Sequence, residues 1–375
     1  MKFLKKFATR AEYEAYMADN MENYPHVGYI ADEGAVEYVK EAPPTPDKMP
    51  LHFEALEDLT VSFSLNAIEY SLDNQSWVAL PADTATPTIS AGSKVYFRAS
   101  GLTPTSNDGI GTFSSTGRFD AVGNVMSMLY GAEFTDKMDV GQENAFCSLF
   151  KNCVKLENAK NLILPAMTLQ KGCYSFMFNG CSNLISAPSV LPAETLAVSC
   201  YYYMFESCKK LVEAPEIAAT TLANYCCQYM FRYCTSLVNA PNLPATTIAN
   251  YCYSKMFYGC TNLINVPPIL PATTLRENCY ESMFYDCTNL VTAPILPALY
   301  FNYNCMRCYN DMFHGCSKLN YIKAMFIPEP STSYTTTWVL GVASTGTFVK
   351  NAAATWNVTG SNGIPSGWNV ETATE

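Results

Sequence analysis

The sequence predicts an α+β multidomain protein: a small N-terminal α/β module, a β-sandwich, and a long repeat solenoid that ends in a β-rich cap. Three observations predict this architecture. All sixteen cysteines lie between Cys147 and Cys316. Within that segment one phrase keeps returning at a nearly fixed distance, as in CYSFMFNGCSNL and CYSKMFYGCTNL. Ahead of it, the chain reads as short alternating strands.

Composition limits the classes of protein to consider. The chain has 375 residues, of which 49% are hydrophobic, as expected of a globular protein. A net charge of −10 argues against nucleic acid or an anionic membrane as the main partner. The start, MKFLKKFATRAEYEAYM, lacks the apolar stretch of a signal peptide, and no run is long enough to predict membrane insertion. We therefore expect synthesis in a reducing cytosol, without export by the usual route.

The N-terminal module is predicted over residues 1–42. Thr9 and Glu12 have the spacing of a capping box, which predicts a short helix over residues 10–18. HVGYI and AVEYV, on either side of ADEG, predict two strands around a turn. The proline-rich residues 43–50 predict a linker.

A β-sandwich of immunoglobulin-like character is predicted over residues 51–135. Segments such as LTVSFSL, AIEYSLD and SKVYFRAS alternate or are rich in β-branched residues, and turn signals separate them. Ile68, Tyr70 and Leu72 are expected on one strand face, and Val95 and Phe97 on another, as core positions.

The repeats define a solenoid over residues 136–327. Their second cysteines are spaced by 28, 27, 26, 26, 27 and 29 residues. Seven units with a period near 27 fall in the range of leucine-rich repeats. The cysteines that mark the units are Cys153, Cys181, Cys208, Cys234, Cys260, Cys287 and Cys316.

Each unit is predicted to hold a short helix followed by strand-like pieces. Cys200, Met204 and Cys208 stand at i, i+4 and i+8, and Phe205 widens this apolar face. On such a helix the two cysteines are too far apart for a disulfide, and packed helices of neighbouring units are also too far apart. Without an adjacent histidine the spacing is a poor zinc pattern. We therefore interpret the cysteines as reduced, buried packing residues.

After Cys316 the period fails. Residues 328–375, with Trp338, Trp356 and Trp368, are predicted to form strands that close the end of the solenoid as a cap.

Tyrosines near the first cysteine of each unit form a candidate binding stripe. If they point outward, they could hold sugar rings or a protein partner, whereas the alternative is that they pack on one another as structure. A column of threonines (Thr195, Thr221, Thr247, Thr274) is interpreted as a structural ladder. The tyrosines of the stripe are Tyr174, Tyr201, Tyr202, Tyr225, Tyr251, Tyr253, Tyr280, Tyr303 and Tyr309.

No catalytic, metal-binding or cofactor-binding set is predicted. The three histidines, His26, His52 and His314, fall in different units. No nucleotide-binding fingerprint and no repeated carboxylate pair is present. The sequence therefore predicts a protein that is not an enzyme and needs no cofactor.

The repeat unit M-F-x-x-C-x-x-L-x-x-A-P resembles the BspA-like leucine-rich repeat. That family has A-F-x-x-C-x-x-L, so Met here replaces a small residue. The resemblance covers residues 145–327 and implies surface adhesion or recognition. The N-terminal MKFLKKFATRAEYEAYM and the middle segment IEYSLDNQSW to GIGTFSSTGRF are similar to structural fibre or decoration proteins of phages that infect gut Bacteroides-type bacteria.

Together these resemblances imply a virion structural protein on the head or tail. Residues 1–42 would dock on a capsid or tail protein, and the solenoid would present a surface to a host glycan or protein. The alternatives are a bacterial cell-surface adhesin and, third, a surface-polysaccharide depolymerase. A homo-oligomer is left open, because no heptad pattern supports a trimer.

Overall fold

The computed structural model describes residues 2–7, 9, 26–30, 35–39, 45–106 and 108–373. The chain divides into two compact units, Met1–Lys48 and Met49–Glu375. Across the described residues the protein is mostly β-structure with few helices, and its C-terminal part is a β-solenoid of about seven turns.

The first unit contains a three-stranded sheet. Strands β1 (Lys2–Phe7), β2 (His26–Ile30) and β3 (Ala35–Val39) lie in that order. β1 pairs with β2 in parallel, and β2 pairs with β3 antiparallel. β2 and β3 coincide with the segments HVGYI and AVEYV. The helix predicted over 10–18, with its capping box, lies outside the described residues.

The first unit ends with the 3₁₀ turn Pro46–Lys48, and the second unit begins with seven strands. Five of them pair antiparallel in the order β10-β4-β8-β6-β7, and β5 pairs with β9. Their bounds are β4 His52–Ala55, β5 Val61–Phe63, β6 Ile68–Ser71, β7 Val78–Leu80, β8 Lys94–Arg98, β9 Phe113–Ser115 and β10 Phe119–Asn124.

Aromatic residues fill the space between these strands. Phe53 contacts Phe97, Phe113 and Phe119 at ring-centroid distances of 4.8, 5.0 and 4.2 Å. Ile68 and Val95 are buried as well. The expectation that Leu72 shares this core is wrong, because Leu72 is 55% exposed. β6 ends one residue earlier, where the Asp73 carboxylate accepts hydrogen bonds from the N–H groups of Gln75 and Ser76 and turns the chain.

Strand β10 belongs to this sheet and to the solenoid at once. It pairs in parallel with β11 (Leu156–Asn158) and with β12 (Leu162–Ile163). A short helix, α1 (Ser127–Tyr130), and a 3₁₀ turn, Gly131–Glu133, follow it. The ladder of the solenoid therefore begins at β10, and one buried core runs from Leu51 to Trp368.

The helices predicted in the repeats are wrong. Instead, overlapping β-turns form each coil, by which we mean one turn of the solenoid. The fourth coil, which contains Cys234, illustrates this. The N–H groups of Met230 and Cys234 bond carbonyls three residues back, those of Cys227 and Phe231. The N–H groups of Phe231 and Tyr233 bond the next coil instead, as Phe231 does to the carbonyl of Met256 at 2.9 Å. Each coil thus closes its own turns and hydrogen-bonds its neighbour with alternate residues.

Every fourth residue of a coil takes the left-handed conformation. In the fourth coil these residues are Tyr225, Tyr229 and Tyr233, with φ of 60°, 61° and 59°. A four-residue period keeps i, i+4 and i+8 on one side just as two helical turns do. Cys226, Met230 and Cys234 therefore all point inward and are fully buried. The apolar face was predicted, but a turn of different geometry builds it.

The opposite side of each coil is a short parallel ladder. β13 (Val190–Leu191) pairs in parallel with β14 (Glu216–Ile217), and single bridges continue it elsewhere. Thr195, Thr221 and Thr247, three of the four threonines in the predicted column, bridge in sequence. These pairings stack consecutive coils in register.

The coil continues past the last repeat. α2 (Thr332–Thr335) precedes Trp338, which is fully buried and contacts Phe313 at a centroid distance of 6.1 Å. Strands β15 (Tyr321–Ala324), β16 (Thr347–Lys350) and β17 (Asn369–Thr372) pair in parallel. The sequence pattern fails after Cys316, but rungs of the same sheet geometry follow it.

Candidate functional site

The nine tyrosines of the predicted stripe fall into separate environments. Five of them, Tyr174, Tyr201, Tyr253, Tyr280 and Tyr309, are 1% exposed and belong to the core. Tyr202 and Tyr251 are half-buried, Tyr225 is 38% exposed and Tyr303 is 83% exposed. A single exposed stripe through all nine is therefore ruled out, because five of the side chains point inward.

The five buried tyrosines follow directly after the first cysteine of a coil, where two consecutive side chains enter the core. Tyr253 stacks on Tyr280 at 5.9 Å, and Tyr280 stacks on Tyr309 at the same distance. Burial raises the pKa of all five phenols well above the ordinary range. In the fourth coil this position holds Cys227, which interrupts the column.

A phenylalanine column runs beside them. Consecutive rings stack at centroid distances from 5.2 to 5.7 Å and within 8° of parallel. Met204 and Phe205 are both fully buried and lie in this part of the core. The column consists of Phe150, Phe178, Phe205, Phe231, Phe257, Phe284 and Phe313.

The second cysteine of each repeat has a specific hydrogen bond. From Cys181 onward, its thiol donates to the backbone carbonyl of the phenylalanine in the preceding coil, with Sγ–O distances of 2.9–3.2 Å. Burial raises the pKa of these thiols far above their ordinary value. All seven second cysteines are buried, and the sixteen cysteines carry free thiols. They are uncharged groups that bond coil to coil.

A different set of aromatic residues lies at the surface. They occupy the left-handed positions of the coils, which we call corners, or the position directly before a corner. We call this set the aromatic face. Its members are Phe176, Tyr202, Tyr203, Tyr229, Tyr233, Tyr258, Tyr285 and His314.

Stacking orders the aromatic face into two rows. Phe176, Tyr203 and Tyr229 stack in sequence, at 5.1 and 4.3 Å and within 12° of parallel. Tyr258, Tyr285 and His314 form the second row, at 4.5 and 4.4 Å. Because neighbouring rings cover the ring faces within each row, the rows present ring edges to solvent.

Arg232 joins the two rows. Its guanidinium lies 5.3 Å from the ring centre of Tyr229, 4.6 Å from that of Tyr233 and 5.4 Å from that of Tyr258. It also forms an ion pair with Glu206 at 3.0 Å. The guanidinium is thus held in place by three rings and a carboxylate, so its orientation is set before any partner arrives.

Two predicted tyrosines form a smaller exposed site at the first corner. Tyr225 stacks on Tyr251 at 4.9 Å. On the other side of Tyr225 the same column holds Ser199, which has no ring to stack on Tyr225. With a ring on one side only and 38% of its surface exposed, Tyr225 is the candidate in this pair for an open ring face.

Sequence reasoning missed most of the aromatic face. Tyr202 was predicted, whereas Tyr203, Tyr229, Tyr258 and Tyr285 were not. The signal that could have found these residues is the four-residue spacing of the inward side chains. If Cys226 and Met230 point inward with that spacing, the residue before each is a left-handed corner. Tyrosine hides this signal, because glycine and asparagine are the usual left-handed residues.

The strand side of the coils carries a second exposed surface, which is aliphatic. Ile185, Val212, Ile264 and Val291 are each about half exposed and occupy one column of the ladder. Beside them lies a groove of about 490 Å³ lined by Pro267, Pro268, Tyr321 and other residues. Across the described chain, no three His, Cys, Asp or Glu side chains are grouped to hold a metal ion.

None of the helices in the described residues has the length and apolar character needed to span a membrane. Comparisons with protein-family models, curated protein sequences and solved structures found no match to this chain.

Proposed function

We propose that this protein is a non-enzymatic recognition protein that binds a macromolecule on a cell surface through its aromatic face. The supporting observation is the ordered group around Arg232, in which Tyr229, Tyr233 and Tyr258 hold a guanidinium at a solvent-facing surface. Tyrosine and arginine are the residues that most often dominate binding energy at protein interfaces. Their rigidity here reduces the entropy lost on binding.

A protein is the partner that the aromatic face fits best. Its rows present ring edges and hydroxyl groups, which suit hydrogen bonding to backbone and polar side chains. Sugar rings bind most readily on open aromatic faces, and stacking covers those faces within the rows. The partner would carry acidic groups or carbonyls to meet Arg232.

The test compares binding of the purified, fluorescently labelled protein to gut Bacteroides-type bacteria. We expect the double variant Tyr229→Ala, Arg232→Ala to bind at least about tenfold more weakly, since hot-spot residues contribute 2 kcal/mol or more, as a rough guide. The matched control is Ile264→Ala on the strand side, which should bind as the parent does. Equal loss in both variants, or no loss in the double variant, would contradict the proposal.

A glycan ligand is the second candidate, and the Tyr225–Tyr251 pair favours it. The face of Tyr225 that carries no stacked ring is the kind of surface on which a sugar ring stacks. In the same assay, Tyr225→Ala would then abolish binding while Tyr229→Ala, Arg232→Ala would not. Periodate treatment of the cells would remove the ligand, and protease treatment would leave it intact.

The finer fold assignments belong to the proposal as well. We assign the seven strands after residue 50 to an immunoglobulin-like sandwich and the coils to a divergent BspA-like leucine-rich repeat. Two packed layers with a phenylalanine-rich interior support the first assignment. The repeated F-x-x-C-x-x-L unit supports the second. The small N-terminal α/β module and the C-terminal cap complete the scheme.

We place the protein on a virion, docked through residues 1–42. The support is the similarity of the N-terminal and middle segments to phage structural proteins. Deleting residues 1–50 should abolish incorporation into particles, and the unit Met49–Glu375 should retain its unfolding transition because its core is its own. Unchanged incorporation would exclude docking through this module, whereas absence of the full-length protein from particles would favour a bacterial surface protein.

A further inference from the structure

One cysteine departs from the repeat. Three residues before the first cysteine of each coil the chain carries Gln170, Ala197, Ala223, Ala249 and Arg276. In the last repeat the same position is Cys305, which gives the motif Cys305-Met306-Arg307-Cys308. Packing does not require a thiol at this position, because five coils are built without one.

The turn between the two cysteines brings them to disulfide distance. Met306 has φ −50° and ψ 135°, and Arg307 has φ 55°. The Cys308 N–H bonds the Cys305 carbonyl at 3.1 Å, which completes a type II β-turn. The Cα atoms at the ends of such a turn lie within about 7 Å, and disulfides join Cα atoms about 4.4–6.8 Å apart.

The surroundings of Cys305 favour its thiolate. Its Sγ accepts a hydrogen bond from the Asn302 N–H at 3.1 Å, and the protonated thiol donates to the Asn302 carbonyl at 3.0 Å. The hydrogen bond from Cys308 is the main reason that the pKa of Cys305 falls to about 7. Burial instead raises the pKa of Cys308 and of its column neighbour Cys279. Cys305 is thus the nucleophile of the pair and Cys308 the thiol beside it.

We propose that Cys305 and Cys308 are a redox-active pair that closes to a disulfide across the turn when it meets a small-molecule disulfide. This proposal stands apart from the binding function proposed above. Cys305 is itself buried, but it ends the 3₁₀ turn Tyr303–Cys305, whose other residues and N-cap Asn302 are exposed. Opening one such turn is a much smaller movement than unwinding a coil.

The reaction takes two exchange steps. The Cys305 thiolate attacks one sulfur of the reagent, its S–S bond breaks, and one reagent thiolate leaves. The Cys308 thiol then loses its proton to the medium and attacks Cys305 Sγ, which expels the second reagent thiolate. Two protein thiols are oxidised to one disulfide, and the reagent is reduced to two thiols. The product fixes the loop that carries Tyr303 against the coil.

The experiment incubates the folded protein with oxidised glutathione, blocks free thiols by alkylation in denaturant, and digests with trypsin. Cleavage after Arg307 separates the two cysteines into peptides 277–307 and 308–318. We expect two of the sixteen thiols to escape alkylation, and these two peptides to remain joined until reduction. Tandem mass spectrometry should place the link at Cys305 rather than at Cys279 or Cys287.

The matched variant is Cys305→Ala, which restores the Ala-x-x-Cys of three other coils and should fold. It should lose the link and keep all its remaining thiols. The oxidation rate of the parent should rise only about tenfold from about pH 6 to about pH 8, because a thiol of pKa near 7 goes from about one-tenth to about nine-tenths ionised over that range. A link that persists in the variant, full alkylation of the parent, or a nearly hundredfold rise with pH would overturn the proposal.

Discussion

The thiol of Cys234 donates a hydrogen bond to the backbone carbonyl of Phe205 in the preceding coil, with an Sγ–O distance of 3.0 Å. The same carbonyl accepts the N–H of Cys208 within its own coil. One oxygen therefore closes a turn and joins two coils. The relationship repeats along the solenoid, so cysteine is a directional residue at this position as well as a filling one.

Removing this bond should destabilise the solenoid. We expect Cys234→Ala to lower the free energy of unfolding by about 1–3 kcal/mol, because it removes a buried hydrogen bond and leaves a small cavity. Urea denaturation followed by circular dichroism measures the change. The comparison variant is Cys153→Ala, in which the lost sulfur accepts from the N–H groups of Lys155 and Leu156 in its own turn and bonds no neighbouring coil through them. An equal loss in both variants would show that the bond between coils contributes nothing.

Alkaline pH should unfold the protein sharply. The fold raises the pKa of fourteen of the cysteines above the ordinary value of 9.0. A raised pKa contributes stability that is complete below the unfolded-state value and is lost as pH rises above it. The contribution of each such thiol to the free energy of unfolding should fall by about 1 kcal/mol between about pH 8 and about pH 10.

The sum over the fourteen thiols, about 14 kcal/mol, is at the upper end of the total stability of a domain, which is about 5–15 kcal/mol. We therefore expect the thermal midpoint to fall steeply above about pH 9 in the presence of a reductant, and to recover when the pH returns to about 7. A midpoint that stays constant through about pH 10 would mean that these thiols are open to water in the folded protein.

The inner phenylalanine column should matter far more than the outer row. Phe231 is fully buried between Phe205 and Phe257, at 5.4 and 5.6 Å. Phe231→Ala should cost about 3–5 kcal/mol of unfolding free energy, the usual range for such a cavity. Phe176→Ala removes the same side chain from the half-buried outer row and should cost about 1 kcal/mol. Similar urea midpoints for the two variants would contradict the assignment of inside and outside.

The repeat and its core could be predicted from the sequence, but the local backbone could not. Cys200, Met204 and Cys208 lie inward under either geometry, since a period of 3.6 and one of 4 differ by less than one residue over nine positions. Glycine at position 172 and again at 180 marks the left-handed corners, yet Tyr225, Tyr229 and Tyr233 occupy the same corners in another coil. Propensity alone would not place tyrosine there.

The candidate site was only partly predictable for the same reason. Tyr201 and Tyr202 are neighbours in sequence, and one is buried while the other faces outward. Both are tyrosine, so the backbone conformation, and not the residue type, decides which side chain is in the core and which is at the surface. The role of Arg232 also depends on rings from two coils and on a carboxylate from a third, which no local pattern reports.

A last prediction tests the corner geometry where ring and backbone meet. Gly259 has φ +71°, and a Cβ placed there would lie 2.5 Å from Cδ1 of Tyr233. Gly259→Ala should therefore destabilise the protein in two ways. Alanine in the left-handed conformation costs about 1–2 kcal/mol, and displacement of the Tyr233 ring adds to that cost. Gly92 has φ +80° and open space around the added carbon, so Gly92→Ala carries the conformational cost alone.

The ring contribution can be isolated by a double-mutant cycle in urea. In a Tyr233→Ala background the added methyl group meets no ring, so Gly259→Ala should then cost no more than Gly92→Ala does in the parent. Loss of the clash should appear as a favourable coupling between the two substitutions of at least about 0.5 kcal/mol. A coupling near zero would mean that Tyr233 does not lie over the corner, and with it Arg232 would lose one of the rings that orient it.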